Sequence, residues 1–238
     1  MFSVWQAGAW QELSKKIAMP EWVIGASAGS LNAWAIAGGL APEVLVDRWM
    51  HLEAYNQFHW RFPMGPKGSL LDPAPVWDDI DDIYSRCRPK TNIGVTMTRL
   101  PSLKVEMVTN ENITPQVLRA SCAVPGLLPP VKWNGNWYWD GALMDGLPHS
   151  FGRQVGASRL ICLNVWVGLP WWWTVTGDAL YRFRKWREGI HHETDKATWI
   201  YLAPPSMPGS FRDAAVWSRS NVERWIDEGR EAGSRLVL

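Results

Sequence analysis

Cysteine is scarce in this 238-residue chain, and its placement does not suggest a disulfide framework. The three cysteines, Cys87, Cys122 and Cys162, are odd in number and far apart, which is typical of a protein from a reducing compartment. The chain also lacks CxxC and HExxH patterns, which are common spacings of zinc ligands. We therefore predict a cytoplasmic protein that needs neither a metal nor another cofactor.

Long apolar runs and an excess of one charge are missing as well. The chain has no run of about 18 apolar residues, which argues against a membrane-spanning helix. Its N-terminus lacks the basic-then-apolar order of a signal peptide. The formal net charge is +1, so no broad attraction to nucleic acid is predicted. The length suits a single domain with its own core.

Tryptophan, in contrast, is abundant, with 18 residues in the chain. Several lie outside periodic segments, as in the run Trp171, Trp172 and Trp173. Two interpretations stay open. The rings pack in the core and under loops, or they form an interfacial patch, because tryptophan prefers the boundary between water and lipid headgroups.

The hydrophobic periodicity and the turn residues predict strands that alternate with helices. This alternation predicts an α/β fold with a mainly parallel sheet. Prolines and glycines between residues 62 and 75 predict a surface loop, long enough for a lid or binding loop. The predicted helices cover residues 4–16, 27–37, 42–56, 76–87, 114–122 (with Thr114 as N-cap), 177–191 and 213–233, the last as one or two helices. The predicted strands cover residues 22–25, 92–98, 103–109, 131–133, 137–139, 159–167 and 198–202.

The segment VIGASAGSLNA, residues 23–33, contains a G-x-S-x-G pentapeptide from Gly25 to Gly29. A strand before it and a helix after it would place Ser27 on a sharp turn, with its hydroxyl exposed to substrate. The helix would also aim its N-terminal amides at the same spot, where they favour negative charge. The alternative is an ordinary Gly/Ser turn in which Ser27 only caps the helix.

A serine hydroxyl is a weak nucleophile and needs a base within hydrogen-bonding reach. None of the five histidines lies in a clear strand-end loop late in the chain, where a hydrolase triad would place its histidine. His149 is the only moderate candidate. The other four are His51, His59, His191 and His192.

A carboxylate is the other candidate base. Asn134-Gly135 predicts a tight hairpin between residues 131–133 and 137–139, and the second strand runs directly into Asp140-Gly141. A rigid hairpin would hold that carboxylate in place, and Gly141 would let a chain or ligand come close. Asp140-Gly141 is also consistent with a simple turn, like Asp145-Gly146 further along.

Three blocks in this order resemble the patatin-like phospholipase family. They are the elbow Gly25 to Gly29, the stretch ASCAVPG at 120–126 with Pro129-Pro130, and the element Asp140-Gly141-Ala142. The resemblance covers roughly residues 4–148. It implies a three-layer α/β/α fold and one patatin-like domain over residues 1–238.

The resemblance also implies the chemistry. Ser27 would be the nucleophile, and Asp140 would activate it directly as the second member of a Ser–Asp dyad, through an acyl-enzyme. Gly25, Ala28, Gly29 and Gly141 would contact the substrate. With such a dyad, the chain needs no catalytic histidine.

The chain departs from the family at its start. Family members usually open with a strand and a loop of the form G-G-G-x-[RK]-G, whose amides form the oxyanion hole. Here Ser3 falls where the last glycine would be, so the domain is expected to be N-terminally incomplete. Either the sequence starts too late, or this is a degenerate member that binds lipid or a partner without turnover.

The sequence therefore predicts a lipid acyl ester hydrolase with a lipid or ester substrate. The alternatives are a catalytically impaired lipid-binding or interaction protein, and an α/β-hydrolase with a Ser-Asp-His triad through His149. Peripheral membrane contact would involve the loop 62–75, the tryptophans at 171–173, or the basic helix 177–191, for which a solvated face is the alternative. The basic residues of that helix are Arg182, Arg184, Lys185 and Arg187.

Overall fold

The computed structural model describes residues 1–52, 68–167, 197–210, 213 and 217–237, without the side chain of His149. The α-helices are α1 Ser3–Leu13, α2 Ala28–Ala37, α3 Pro42–Met50, α4 Ala74–Arg86, α5 Pro115–Ser121, α6 His149–Gln154 and α7 Arg219–Arg235. The strands are β1 Trp22–Ala26, β2 Asn92–Leu100, β3 Lys104–Thr109, β4 Val131–Trp133, β5 Asn136–Asp140, β6 Arg159–Leu163 and β7 Thr198–Leu202.

The nine-residue strand β2 organises a five-stranded sheet. One edge of β2 pairs with β3 in antiparallel fashion along residues 94–99. The other edge is shared, because β1 pairs in parallel with residues 92–96 and β5 pairs antiparallel with residues 97–100. Strands β1 and β5 therefore lie end to end on one edge of β2, and their C-terminal ends meet.

The predicted α/β class is confirmed, but the sheet is mixed rather than mainly parallel. Only β1 pairs in parallel within the five-stranded sheet, while β3 and β5 run antiparallel to β2 and β4 runs antiparallel to β5. Short connections explain two of the antiparallel pairs, β2 with β3 and β4 with β5, since hairpins join antiparallel strands. Strands β6 and β7 pair in parallel as a separate two-stranded sheet.

The hairpin between β4 and β5 forms as predicted. Asn134 and Gly135 both have positive φ angles, 43° and 76°, which is the requirement of a type I′ turn. The turn sets the register of β4 against β5, with Trp133 opposite Asn136. On its other edge β5 pairs with β2, and Asp140 at its end lies opposite Met97.

Several predicted boundaries were wrong. The third helix ends at Met50; residues 53–56 lie outside the described part. The sixth strand ends at Leu163, because Asn164 Oδ1 accepts a hydrogen bond from Trp166 N and makes a turn. Ala74 and Pro75, placed in the predicted loop, open α4. At the end of the chain, Asp213 is helical as predicted, and the long closing helix α7 begins at Arg219.

The core interpretation of the tryptophans holds for six of those that the structure describes. They are at most 8% exposed, and Trp5, Trp49 and Trp225 are among the largest fully buried side chains. The three others are Trp10, Trp34 and Trp217. The tryptophans at 171–173, the helix 177–191 with its four basic residues, and residues 62–67 of the predicted loop lie outside the described part of the chain.

None of the described helices is both long and apolar enough to cross a membrane.

Candidate active site

Ser27 lies between the end of β1 at Ala26 and the start of α2 at Ala28. Its φ and ψ angles are 55° and −141°, a region that costs a residue with a side chain of order 1–3 kcal/mol. Such strain persists only where the surroundings enforce it. The side chain makes no capping hydrogen bond to α2, so the structure does not support Ser27 as an ordinary N-cap.

The glycines of the pentapeptide let the strand and the helix approach each other. A Cβ atom on Gly25 would lie 2.4 Å from the carbonyl oxygen of Gly29, which no side chain can tolerate. Gly29 in turn faces the side chain of Gln6, with 3.3 Å from its Cβ position to Gln6 Oε1. Gly25 thus serves backbone packing, and Gly29 and Ala28 form the first turn of α2.

Asp140 is the last residue of β5 and is 3% exposed. Its Oδ2 accepts a hydrogen bond of 2.6 Å from Ser27 Oγ, and its Oδ1 accepts one of 2.7 Å from the amide of Ala142. Both oxygens are therefore bound and oriented. The sheet explains the contact, because Ala26 pairs with Thr96 and Asp140 pairs with the next residue, Met97.

Gly141 follows Asp140 against the backbone of β2. A Cβ atom there would lie 2.2 Å from the carbonyl oxygen of Thr96 and 2.6 Å from its Oγ1. The group that comes close to Gly141 is thus another part of the chain, which is one of the two uses predicted for this glycine.

Burial raises the pKa of Asp140 to about 7, although the hydrogen bonds from Ser27 and Ala142 act to lower it. At neutral pH the acid and the carboxylate are therefore present in comparable amounts. A base with a pKa near the working pH is well matched to accept a proton and return it within one reaction.

The start of α2 adds electrostatic support beside Ser27. The amides in the first turn of a helix have no partner within the helix, and the helix dipole makes this end partly positive. Negative charge that develops on the oxygen of a carbonyl group under attack by Ser27 Oγ would lie near these groups.

The sequence did not identify three polar residues whose side chains bind backbone groups of Ser27 and Asp140. Ser121 Oγ accepts a hydrogen bond of 3.1 Å from Ser27 N, Ser30 Oγ donates one of 2.7 Å to Ser27 O, and Thr98 Oγ1 donates one of 2.9 Å to Asp140 O. All three are fully buried. Ser121 lies in the stretch ASCAVPG that carries the family resemblance, but the resemblance assigned it no role. The helix and strand patterns of the sequence did not indicate that Ser30 and Thr98 are buried beside Ser27 and Asp140.

The histidines contribute nothing to this site within the described part of the chain. His51 is exposed at the end of α3, with Nδ1 3.1 Å from Asp47 Oδ1. His149 opens α6, but its side chain lies outside the described residues, as do His59, His191 and His192. Among the described residues no group of three or more histidine, cysteine, aspartate or glutamate side chains could hold a metal ion.

A cleft of about 770 Å³ lies at the N-terminal ends of β1 and β2, whereas Ser27 and Asp140 lie beyond the C-terminal end of β1. Its lining includes Glu21, Trp34, Tyr84, Arg88 and Lys90. Neither Ser27 nor Asp140 lines it, so we do not assign it to the chemistry of the dyad.

Comparison with known proteins relates this geometry to a family. Residues 1–151 match the family model for patatin-like phospholipases. A lysophospholipase, NTE1 from Meyerozyma guilliermondii, is 42% identical over 48 residues, which are 20% of this chain and 3% of that protein. The structure of VipD from Legionella pneumophila aligns with a TM-score of 0.49 and 14% identity, over 98% of this chain and 64% of that one. The chain thus spans less than two thirds of both relatives.

Proposed function

Because this chain belongs to the patatin-like phospholipase family, a family of lipid ester hydrolases, we propose that it hydrolyses carboxylic esters of lipids through Ser27 and Asp140. The observation that carries the proposal is the 2.6 Å hydrogen bond from Ser27 Oγ to Asp140 Oδ2. A nucleophile within hydrogen-bonding reach of a base is the arrangement that covalent catalysis requires.

The reaction begins with proton transfer from Ser27 to Asp140. As Ser27 Oγ attacks the acyl carbon, its proton moves to Asp140 Oδ2, and the carbonyl oxygen becomes negatively charged. When the C–O bond to the alcohol breaks, Asp140 returns that proton to the leaving oxygen. The product is an acyl-enzyme on Ser27 and a free alcohol or lysolipid.

Water completes the cycle by the reverse route. Asp140 takes a proton from a water molecule, the resulting hydroxide attacks the acyl carbon, and the proton returns to Ser27 as the fatty acid leaves. A single carboxyl group therefore acts as base and as acid in both halves, which its pKa near 7 favours.

Of the four residues expected to contact the substrate, Gly25, Ala28, Gly29 and Gly141, we propose that Ala28 and Gly29 lie against it. Their place in the first turn of α2 puts partly positive amides where the acyl oxygen becomes negative. Gly25 and Gly141, which pack against backbone, would act on the substrate only by holding this geometry.

The test uses a fluorophosphonate probe and a water-soluble p-nitrophenyl ester. We expect Ser27→Ala to abolish both labelling and turnover, and Asp140→Asn to lower kcat/KM by about 10³-fold or more, as for the loss of other catalytic bases. Asp145→Asn is the matched control, because Asp145 also precedes a glycine but lies outside the dyad. We expect it to stay within about 3-fold of wild type.

Two results would contradict the proposal in different ways. Full labelling of Asp140→Asn would show that another group activates Ser27, and His149→Ala would then test the triad. A wild-type chain that neither reacts with the probe nor hydrolyses esters, yet binds phosphatidylcholine vesicles, would identify a lipid-binding protein instead of an enzyme.

A further inference from the structure

One short segment contacts the backbones of both members of the dyad. Ser27 N donates a hydrogen bond of 3.1 Å to Ser121 Oγ. Two residues further, the carbonyl oxygen of Ala123 accepts a hydrogen bond of 3.0 Å from Asp140 N. Ser27 and Asp140 are 113 residues apart in sequence, so residues 121–123 form a direct bridge between two distant parts of the chain.

The bridge is rigid, because it continues the end of α5. Cys122 N donates to the carbonyl oxygens of Leu118 and Arg119, and Ala123 N donates to that of Ala120. Ser121 and Ala123 are both fully buried. Because these backbone hydrogen bonds tie the segment to α5, the hydroxyl of Ser121 and the carbonyl oxygen of Ala123 are held at a fixed distance from each other. The first binds Ser27 N and the second binds Asp140 N.

The two backbone groups of Ser27 are held separately. Its carbonyl oxygen accepts hydrogen bonds from Ser30 N and Ser30 Oγ, at 2.8 and 2.7 Å. Its N–H is bound by Ser121 alone among the described contacts. Loss of the Ser121 hydroxyl would therefore free one side of a residue whose positive φ angle of 55° is unfavourable.

We propose that Ser121 is a positioning residue: with the carbonyl oxygen of Ala123, it sets the distance between Ser27 Oγ and Asp140 Oδ2 and holds Ser27 in its strained conformation. It does not touch the substrate. One consequence is that Ser27 N–H is committed to Ser121 and does not stabilise the oxyanion. The catalytic part of this inference rests on the proposed dyad, whereas the structural part does not.

The first test compares Ser121→Ala with Ser121→Thr, which keeps the hydroxyl. With the p-nitrophenyl ester, we expect Ser121→Ala to lower kcat by about 10- to 100-fold and to change KM by less than about 3-fold. Ser121→Thr should recover most of kcat. Ser85→Ala is the control, because the exposed hydroxyl of Ser85 donates to Asp82 O and makes no contact with Ser27 or Asp140.

The pH profile separates positioning from a general loss of stability. The hydrogen bond from Ser27 lowers the pKa of Asp140, so a displaced Ser27 should move the inflection of kcat/KM to higher pH in Ser121→Ala. An unchanged kcat in this variant would overturn the proposal. So would equal losses in Ser121→Ala and Ser121→Thr with an unshifted inflection, because these would indicate a packing defect.

The second test does not depend on turnover. In ¹⁵N-labelled protein, we expect the amide of Ser27 to exchange with solvent at least about 10-fold faster in Ser121→Ala than in wild type. The amide of Val95 in the sheet should keep its rate. If the wild type shows no hydrolysis, faster exchange at Ser27 still supports the positioning role, while an unchanged rate overturns it.

Discussion

The side chain of Asp140 is the unusual feature of this site, because it is a buried carboxyl group whose only side-chain partner is a hydroxyl. It accepts hydrogen bonds from Ser27 Oγ and Ala142 N, and the charge of the N-terminal amino group acts in the same direction on its pKa. Removal from water disfavours the charged form more than these two bonds favour it. In the proposed mechanism, the same burial that makes Asp140 costly to ionise would make it basic enough to activate Ser27 without a histidine.

The first prediction concerns the pH dependence of activity. Asp140 must be ionised to accept the proton of Ser27, and its pKa is raised to about 7. We expect kcat/KM to rise about tenfold per pH unit below pH 7 and to level off above it. Initial rates with a p-nitrophenyl ester between pH 5 and 9 will measure this. A rate that stays constant down to pH 5 would rule out a base with this pKa.

The second prediction concerns stability. Because the pKa of Asp140 is higher in the folded chain than its ordinary value of 3.8, the folded state binds more protons between about pH 4 and 7. The free energy of unfolding should therefore fall as the pH rises through this window and then level off. Asp140→Asn removes the buried charge, so it should be more stable than wild type at pH 8, by up to about 4 kcal/mol.

Urea denaturation at pH 4 and pH 8 will test this second prediction. The stability difference between Asp140→Asn and wild type should shrink at pH 4, because the carboxyl group is then protonated in the folded state and about half protonated in the unfolded state. Asp145→Asn should show no such change. An Asn variant that is less stable than wild type at pH 8 would mean that the charge on Asp140 stabilises the fold.

Strand β5 brings the acid to the serine, and its direction could not be derived from the sequence pattern. Strand β1 runs parallel to β2 and β5 runs antiparallel on the same edge. Their ends can meet only because the two directions differ. A mainly parallel sheet, as the alternation of elements predicted, would have had no such head-to-head junction.

Sequence signals were reliable where the conformation depends on residues that are close to one another in the sequence. The turn at Asn134 and Gly135, the strand Thr198–Leu202 and the junction around Ser27 are set by residues close in sequence. Thr114 does occupy the N-cap of α5, but its side chain makes no capping bond. Ser121 was not recognised, because its partner lies 94 residues away and a serine at a helix end has ordinary alternatives.

The third prediction concerns the turn that follows β5. In Gly141→Ala the new Cβ would lie 2.2 Å from the carbonyl oxygen of Thr96. This oxygen belongs to the backbone of β2, so it cannot move aside as the end of a flexible side chain could. We expect a loss of about 2–3 kcal/mol in the free energy of unfolding and a fall in kcat/KM of about 100-fold, because Asp140 must move with its neighbour.

Gly126→Ala is the control for this third prediction. Gly126 has a φ angle of 81° and nothing lies within 4 Å of its Cβ position. The substitution should therefore cost only backbone strain, about 1 kcal/mol, with little effect on the rate. Equal activity losses in the two variants would show that glycine flexibility, and not the contact with β2, is what matters at residue 141.

Helix α7 lies beyond residues 1–151 that match the family, yet it packs along α1, near the start of that range. The two backbones touch at glycines. A Cβ on Gly8 would lie 2.2 Å from Ile226 O, and one on Gly229 would lie 2.1 Å from Trp5 O. Helix α1 in turn bonds to the helix behind the nucleophile, through Asn32 Nδ2 and Ser3 O at 2.7 Å.

The last prediction follows from this helix pair. Gly229→Ala should force α7 away from α1 and lower the melting temperature by about 4–8 °C, which corresponds to about 2 kcal/mol for a domain of this size. Because α1 contacts α2 but not Ser27 or Asp140, kcat should change less than about 3-fold at 25 °C.

Ser234→Ala is the control for this prediction. Its side chain lies on the exposed side of α7, so the melting temperature and kcat should both stay unchanged. Differential scanning fluorimetry will measure the melting temperatures of wild type and the two variants, and initial rates with a p-nitrophenyl ester will measure kcat. A melting temperature equal to wild type would show that the close approach of Gly229 to Trp5 O does not hold α7 against α1, whereas the predicted loss would make α7 part of the core that supports the proposed site.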